Sequence, residues 1–350
     1  MTLLERLSLT VPIIQAPMAG VSTPEMAAAV SNAGGLGSIG VGATDAAGAR
    51  AMIADVQART NRAFNVNLFV HEDPTPDAAR EAAWLEALRP LFARFDAQPP
   101  QQLRTIYRSF AHDDDMLALL IETAPAVVSF HFGLPDAARI KALKQAGITL
   151  LSTATSLDEA LAARAAGVDA VVAQGYEAGG HRGVFDPDAP DDQLGAFALT
   201  RLLVQKSGLP VIAAGGIMDG QGVRAVLDLG AVAAQMGTAF IACTESAADD
   251  AYRTALKGEG AAHTTMTRAI SGRPARSLQN HFTIWGQGDV PPAAAYPIAY
   301  DAGKALNAAA KAKGEAGFGA QWAGQGALLA RTFPAAELMA VLQQELASAS

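Results

Sequence analysis

The chain has 350 residues, 50% of them hydrophobic and only 17% charged, enough to build a large core and too apolar for general disorder. Its formal net charge is −8 with no block of like charge, which offers nucleic acid no basic surface. Cys243 is the single cysteine, so an internal disulfide framework and a multi-cysteine metal or iron–sulfur centre are both excluded.

The opening stretch MTLLERLSLTVPIIQAP has no basic segment ahead of a long apolar run, and no later stretch stays apolar long enough to span a bilayer. A cytoplasmic protein without signal peptide or membrane span is expected. A first strand is predicted near 12–16, and Pro17 ends it by removing a backbone donor. Thr23-Pro24-Glu25 reads as an N-cap, a proline at the first helical position and an acidic first turn, with Met26 and Val30 on one face. That helix closes in SNAGGLGSI (31–39), which carries a second strand near 36–39. Gly35, Gly37 and Gly40 match the dinucleotide-binding glycine spacing, but that fingerprint needs a strand before it and a helix opening inside it. Here the order is reversed, so the glycines are read as packing residues.

Asp45 can cap a helix bearing Met52, Ile53 and Val56, and a third strand is predicted near 64–68. Residues 71–125 are long for one connection, and DPTPDAAREAAWLEALRPLF adds a helix there. Further strands fall near 127–131, 149–152, 170–174, 211–214 and 232–236, most of them following a helix that ends in Ala-Gly or a similar pair. Ser156 and Glu159 fit a capping box, followed by Leu157 and Leu161 at helical spacing. Eight short strands alternating with helices over about 225 residues predict a (β/α)8 TIM barrel, with an open doubly wound sheet as the structural alternative. Residues 1–245 are read as the barrel, 246–325 as a mostly helical cap, and 326–350 as a C-terminal helix returning to the barrel wall.

Chemistry is expected at the strand ends. Ala214-Gly215-Gly216-Ile217 and Gln235-Met236-Gly237-Thr238 follow the last two barrel strands, where barrels often bind a phosphate through backbone N–H groups. Either turn alone is an ordinary tight connection; the two together favour a phosphate. Small residues around Met18 would let a flat ring lie against backbone, although the stretch also reads as a plain strand exit. Asn67 ends the third strand, facing the mouth or capping a turn. Gln174 ends the sixth, where its amide could meet the edge of a heterocycle. His181 follows in the loop Glu177-Ala178-Gly179-Gly180-His181-Arg182-Gly183, and an imidazole there suits proton transfer near neutral pH. His131 ends the fourth strand between two phenylalanines, a second candidate for the mouth in a setting that is more often structural. Two histidines without a carboxylate or cysteine pattern make a poor metal site, and none is expected.

These motifs together resemble the nitronate monooxygenases, once called 2-nitropropane dioxygenases. The resemblance rests on VPIIQAPMAGVSTPE (11–25), NVNLF (65–69), AQGYEAGGHRG (173–183), AAGGI (213–217), QMGTAF (235–240), SGRPARSLQN (271–280) and WAGQGALLAR (322–331), and it runs over nearly the whole chain. It implies FMN across the barrel mouth beneath the cap. Its contacts would be Ala16, Pro17, Met18, Asn67, Gln174, Gly179, Gly216, Gln235, Met236, Gly237 and Thr238. It makes His181 the active-site histidine, a base toward neutral nitroalkanes and an orienting group toward preformed nitronates. Tyr107, Tyr300 and Lys304 resemble pocket residues of the same branch; Lys304 could offer charge to an anionic substrate or simply be a surface lysine. The implied reaction consumes O2 and a small-molecule nitronate, of which propionate 3-nitronate is one, and yields a carbonyl compound and nitrite. The alternatives are an NAD(P)H:quinone reductase or enoyl-thioester reductase on the same FMN barrel, and a phosphate-ligand barrel without redox chemistry.

Overall fold

Short runs of alanine and β-branched residues, buried along almost their whole length, form the strands of the computed structural model, which describes residues 1–349. In chain order the strands are β1 (Ile13–Gln15), β2 (Gly37–Gly40), β3 (Phe64–Phe69), β4 (Val127–His131), β5 (Thr149–Ala154), β6 (Ala170–Gln174), β7 (Gly180–His181), β8 (Val211–Ala214), β9 (Ala233–Met236), β10 (Thr265–Thr267) and β11 (Ala275–Ser277). Eight of them make one parallel sheet in the order β1-β9-β8-β6-β5-β4-β3-β2. Its two ends meet where Leu36 N donates to Ile13 O and Gln15 N to Leu36 O, both at 3.0 Å. This is the (β/α)8 barrel expected from the strand rhythm, and the open-sheet alternative is set aside.

The local signals act as their chemistry requires. Thr23 Oγ1 accepts from Met26 N at 3.1 Å, Asp45 Oδ1 from Gly48 N at 2.9 Å, and Gly167 closes the helix Leu157–Ala166 in the left-handed region at φ 91°. The expected capping box at Ser156 is only half present. Ser156 Oγ accepts from Glu159 N at 3.2 Å, but the Glu159 carboxylate takes Thr155 N, Thr155 Oγ1 and Phe185 N instead of reaching back. A tertiary demand from the loop after β6 outcompetes the local one. Gly37 is a packing residue, since a Cβ there would sit 1.8 Å from the carbonyl oxygen of Ala27.

Apolar side chains fill two layers. Leu3, Ile14, Leu36, Leu151, Val172 and Ile212 pack together in one cluster; Ile39, Val66, Val128 and Phe130 meet Ile53, Val56, Leu120 and Leu143 of surrounding helices in another. The helix Ala335–Ser348 packs on the helices Pro24–Asn32 and Gly220–Asp228, and Glu345 Oε2 accepts from Gly220 N at 2.9 Å. The added helix Ala78–Ala93 packs through Trp84 and Leu88 in one cluster with Phe282, Ala302 and Leu306 of the C-terminal segment. That segment is not helical throughout. β10, β11 and β7 form an antiparallel three-stranded sheet, with Ala275 paired to His181 and Arg276 to Gly180. Among the described residues no helix is long and apolar enough to cross a membrane.

Candidate active site

The carboxyl ends of the barrel strands open into a cavity of about 650 Å³. It is lined by every residue singled out in the sequence: Ala16, Pro17 and Met18 after β1, Asn67 in β3, His131 in β4, Gln174 in β6. Gly179 and His181, Gly216, and Gln235 through Thr238 complete the floor, while Tyr107, Tyr300 and Lys304 come from outside the barrel strands.

The exit of β1 owes its shape to a side chain the sequence reading passed over. The buried Gln15 amide accepts from Ser38 N at 2.8 Å and donates to Ser22 Oγ at 2.8 Å and to Ala16 O; Ser22 Oγ in turn receives Met18 N at 2.9 Å. That network fixes the turn that carries Pro17 and Met18 into the cavity lining. Across the mouth, Gly215 and Gly216 adopt φ of 117° and 72°, a conformation that suits glycine. Among the described residues, the N–H groups of Gly216, Gly237 and Thr238 have no protein acceptor, and all three residues line the cavity. At Gly179 a Cβ would lie 2.5 Å from both the carbonyl carbon of Ala323 and the nitrogen of Gly324. Only glycine lets those two stretches of backbone meet.

The amides expected to face a ligand are also structural. Asn67 Nδ2 donates to Ser129 Oγ at 2.9 Å and to its carbonyl at 3.2 Å, tying β3 to β4. Gln174 Nε2 donates to His181 O at 2.9 Å and Gln174 Oε1 accepts from Gly183 N at 2.7 Å, so this side chain folds the histidine segment back over β6.

His181 therefore sits in a short strand, not in a free loop. Beyond the β7–β11 pairing, Arg182 N donates to Pro274 O at 2.8 Å. The buried Arg182 guanidinium holds Asp191 through Nε and Nη2, at 2.8 and 3.0 Å, and donates to Gln174 O. The imidazole lies among Phe132, Tyr296 and Trp322, with ring centroids 5.4, 5.4 and 5.1 Å away, and its Nε2 is 2.8 Å from Ser271 Oγ. Burial pushes its pKa well below the ordinary 6.5, helped by His131, Arg273 and His71. It is neutral at pH 7 and can accept a proton.

His131 lines the cavity, but both of its nitrogens are engaged. Nε2 is 3.1 Å from His181 O and Nδ1 is 3.0 Å from Thr153 Oγ1. A carbonyl only accepts, so Nε2 carries the hydrogen and Nδ1 receives the threonine hydroxyl. Burial lowers its pKa to about 4. Lys304 Nζ stands 4.8 Å from the Tyr107 ring centroid and 5.4 Å from that of Tyr300. The helix Ile298–Ala312 puts Tyr300 and Lys304 on one face, as their spacing predicts. Burial pushes the Tyr107 phenol up to about 12 and lowers the Lys304 ammonium, so the phenol stays protonated.

Four residues of consequence went unassigned in the sequence: Ser271, Arg273, Tyr296 and Trp322. Arg273 is a buried cation with no carboxylate in ion-pair reach; it donates to the carbonyls of Val184 and Phe185 and lies 4.3 Å from the Phe132 centroid. The signals in the sequence were the runs SGRPARS, whose polar residues reach His181 through tertiary pairing, and WAGQGALLAR, which begins at Trp322; Tyr296 had none. Cys243 is buried in an apolar cluster with its thiol pushed up to about 12. Among the described residues no group of His, Cys, Asp and Glu could hold a metal ion.

Residues 1–345 match a family model described as nitronate monooxygenase. The chain is 63% identical to a nitronate monooxygenase of Paraburkholderia phytofirmans, covering 98% of this chain and 94% of the relative. It is 57% identical to one of Pseudomonas aeruginosa, covering 96% of each. A nitroalkane oxidase from Streptomyces ansochromogenes superposes with a TM-score of 0.92 at 42% identity, covering 99% of both chains. FabK from Thermotoga maritima superposes at 0.73 with 28% identity, covering 99% of this chain and 95% of that one.

Proposed function

The chain belongs to the nitronate monooxygenase family and oxidises nitronates; from that premise we propose that it works with FMN and O2 on small alkyl nitronates of the propionate 3-nitronate type, releasing a carbonyl compound and nitrite. The observation that carries this reading is one cavity of about 650 Å³ lined both by unpaired backbone donors and by a neutral, immobilised imidazole. The donors of Gly216, Gly237 and Thr238 suit a phosphate, and the exposed backbone of Gly216 admits one without a Cβ in the way. Ala16, Pro17, Met18, Asn67, Gln174, Gly179, Gln235 and Met236 supply the surface for an isoalloxazine. Bound there, FMN would supply the redox chemistry, with O2 as oxidant.

The protein's own part is binding and proton transfer. His181 takes the α-proton of a neutral nitroalkane, the C–H pair becoming the C=N bond of the nitronate. A substrate that arrives already deprotonated needs only orientation. Lys304, which lines the cavity, gives it one positive charge, and the buried Arg273 behind Phe132 adds to the positive field, which favours an anionic substrate over a neutral one. The relative named for nitroalkanes and those named for nitronates correspond to these two protonation states. Residues 246–325, with the β10–β11 hairpin and Trp322, act as the cover of the cavity.

An absorption spectrum of the purified protein followed by two assays tests the proposal. A flavin band, O2 uptake with propionate 3-nitronate, and no steady oxidation of NADH are expected. A colourless protein that cannot be loaded with FMN, or NADH oxidation without nitronate turnover, would overturn it.

A further inference from the structure

We infer that Ser271 fixes the tautomer of His181: Nε2 carries the hydrogen, and Nδ1 is the atom that accepts the substrate's proton. The inference rests on the reading of His181 as a base and names the atom and the residue behind it. Ser271 is fully buried, and its Oγ has two neighbours, His181 Nε2 at 2.8 Å and the Arg273 carbonyl at 3.3 Å. A hydroxyl has one hydrogen to give. If it went to Nε2, the hydrogen of the imidazole would move to Nδ1, which has no acceptor in the protein, and the Arg273 carbonyl would lose its donor. If it goes to the carbonyl, Nε2–H donates to Oγ and both the imidazole hydrogen and the hydroxyl hydrogen have an acceptor. The second arrangement leaves one lone pair without a partner, that of Nδ1. Nδ1 is not sealed off: the buried side-chain atoms lacking partners include both nitrogens of His71 and neither of His181, and His181 lines the cavity.

The backbone is built for this relay. Gly272 sits at φ 92°, and a Cβ on it would lie 2.5 Å from the Ala294 carbonyl oxygen. The turn it makes brings the Ser271 hydroxyl under the Arg273 carbonyl two residues on. From the other side, His131 Nε2 and Gln174 Nε2 hold the His181 carbonyl at 3.1 and 2.9 Å, so the imidazole is fixed at both ends. In the proton transfer the Nδ1 lone pair takes the α-hydrogen, the C–H electron pair forms the C=N bond, and an N–O π pair moves onto oxygen. The imidazolium so formed keeps its Nε2–H on Ser271, whose hydroxyl dipole already points the right way.

The test is long-range nitrogen–proton NMR on flavin-loaded, ¹⁵N-histidine-labelled enzyme, with His181→Asn identifying the resonance. A protonated Nε2 and an unprotonated Nδ1 are expected; the opposite tautomer overturns the inference. Kinetics give the second reading. In Ser271→Ala the ratio of kcat/KM for a neutral nitroalkane to that for its preformed nitronate should fall roughly tenfold or more, and Ser271→Thr should restore it. An unchanged ratio in Ser271→Ala would also overturn it. Failure of the base reading itself looks different, because His181→Asn would then leave the same ratio untouched whatever tautomer the spectrum shows.

Discussion

His71 makes the fold acid-sensitive by an amount that can be worked out. It is 1% exposed, neither ring nitrogen makes a hydrogen bond of ordinary geometry, and the nearby Tyr107 backbone only slightly favours the charged form. Its ring stands edge-on to Tyr296 at 5.0 Å. Burial, reinforced by the Arg273 guanidinium, lowers its pKa from 6.5 to about 4. Between those values the unfolded chain binds a proton that the folded chain refuses. The stability tied to His71 is therefore complete above pH 6.5 and is lost as the pH falls toward 4. At roughly 1.4 kcal/mol per unit the whole effect is about 3 kcal/mol, and about 2 kcal/mol of it falls between pH 7 and pH 5. His71→Leu is near in volume and cannot take a proton. Urea unfolding of both proteins at several pH values gives the two slopes. The wild type should lose about 2 kcal/mol more than the variant between pH 7 and pH 5, since His131 and His181 are common to both. Parallel slopes would refute the argument that an unpartnered buried imidazole sets the acid limit.

Three further outcomes are expected. His181→Asn should lower kcat/KM for a neutral nitroalkane by roughly 10²–10⁴-fold, the usual worth of a general base, and lower that for the preformed nitronate far less; steady-state O2 uptake on both forms reads the difference. Gly179→Ala drives a Cβ to 2.5 Å from the backbone of Ala323 and Gly324, so the cover shifts away from the cavity; the ratio of flavin to protein absorbance after gel filtration should drop, at a stability cost of roughly 1–3 kcal/mol in thermal unfolding. Arg182→Met leaves the partly exposed Asp191 carboxylate without its partner and frees the segment carrying His181; it should cost roughly 1–3 kcal/mol, short of the figure for a fully buried pair, and hydrogen exchange should speed up across 176–191.

The barrel was legible because its signals are local. A helix ending in glycine followed by a short apolar run is a complete message within ten residues, and KQAGITLLS and RAAGVDAVVA each deliver it. The two glycine turns after β8 and β9 were readable for the same reason. What escaped was built across long sequence distance. β7 is two residues and β11 three, too short for any periodicity, and they become strands only because Ala275 meets His181. The Ser156 box failed because Glu159 had a better offer from Phe185 N, 26 positions away. Ser271 lies 90 positions from the imidazole it touches, and nothing in SGRPARS says which residue it will face.

The pairing of β7 with β11 has a consequence for motion. The His181 segment is tied to two elements at once: the same residue whose carbonyl is anchored by Gln174 from β6 shares a ladder with Ala275 of β11. Any displacement of β11 from the barrel would therefore carry His181 with it or break that ladder. Tyr252, Tyr300 and Trp322 line both the main chamber and a smaller annex of about 250 Å³ near Asn307 and Lys311, so the two spaces share these three side chains.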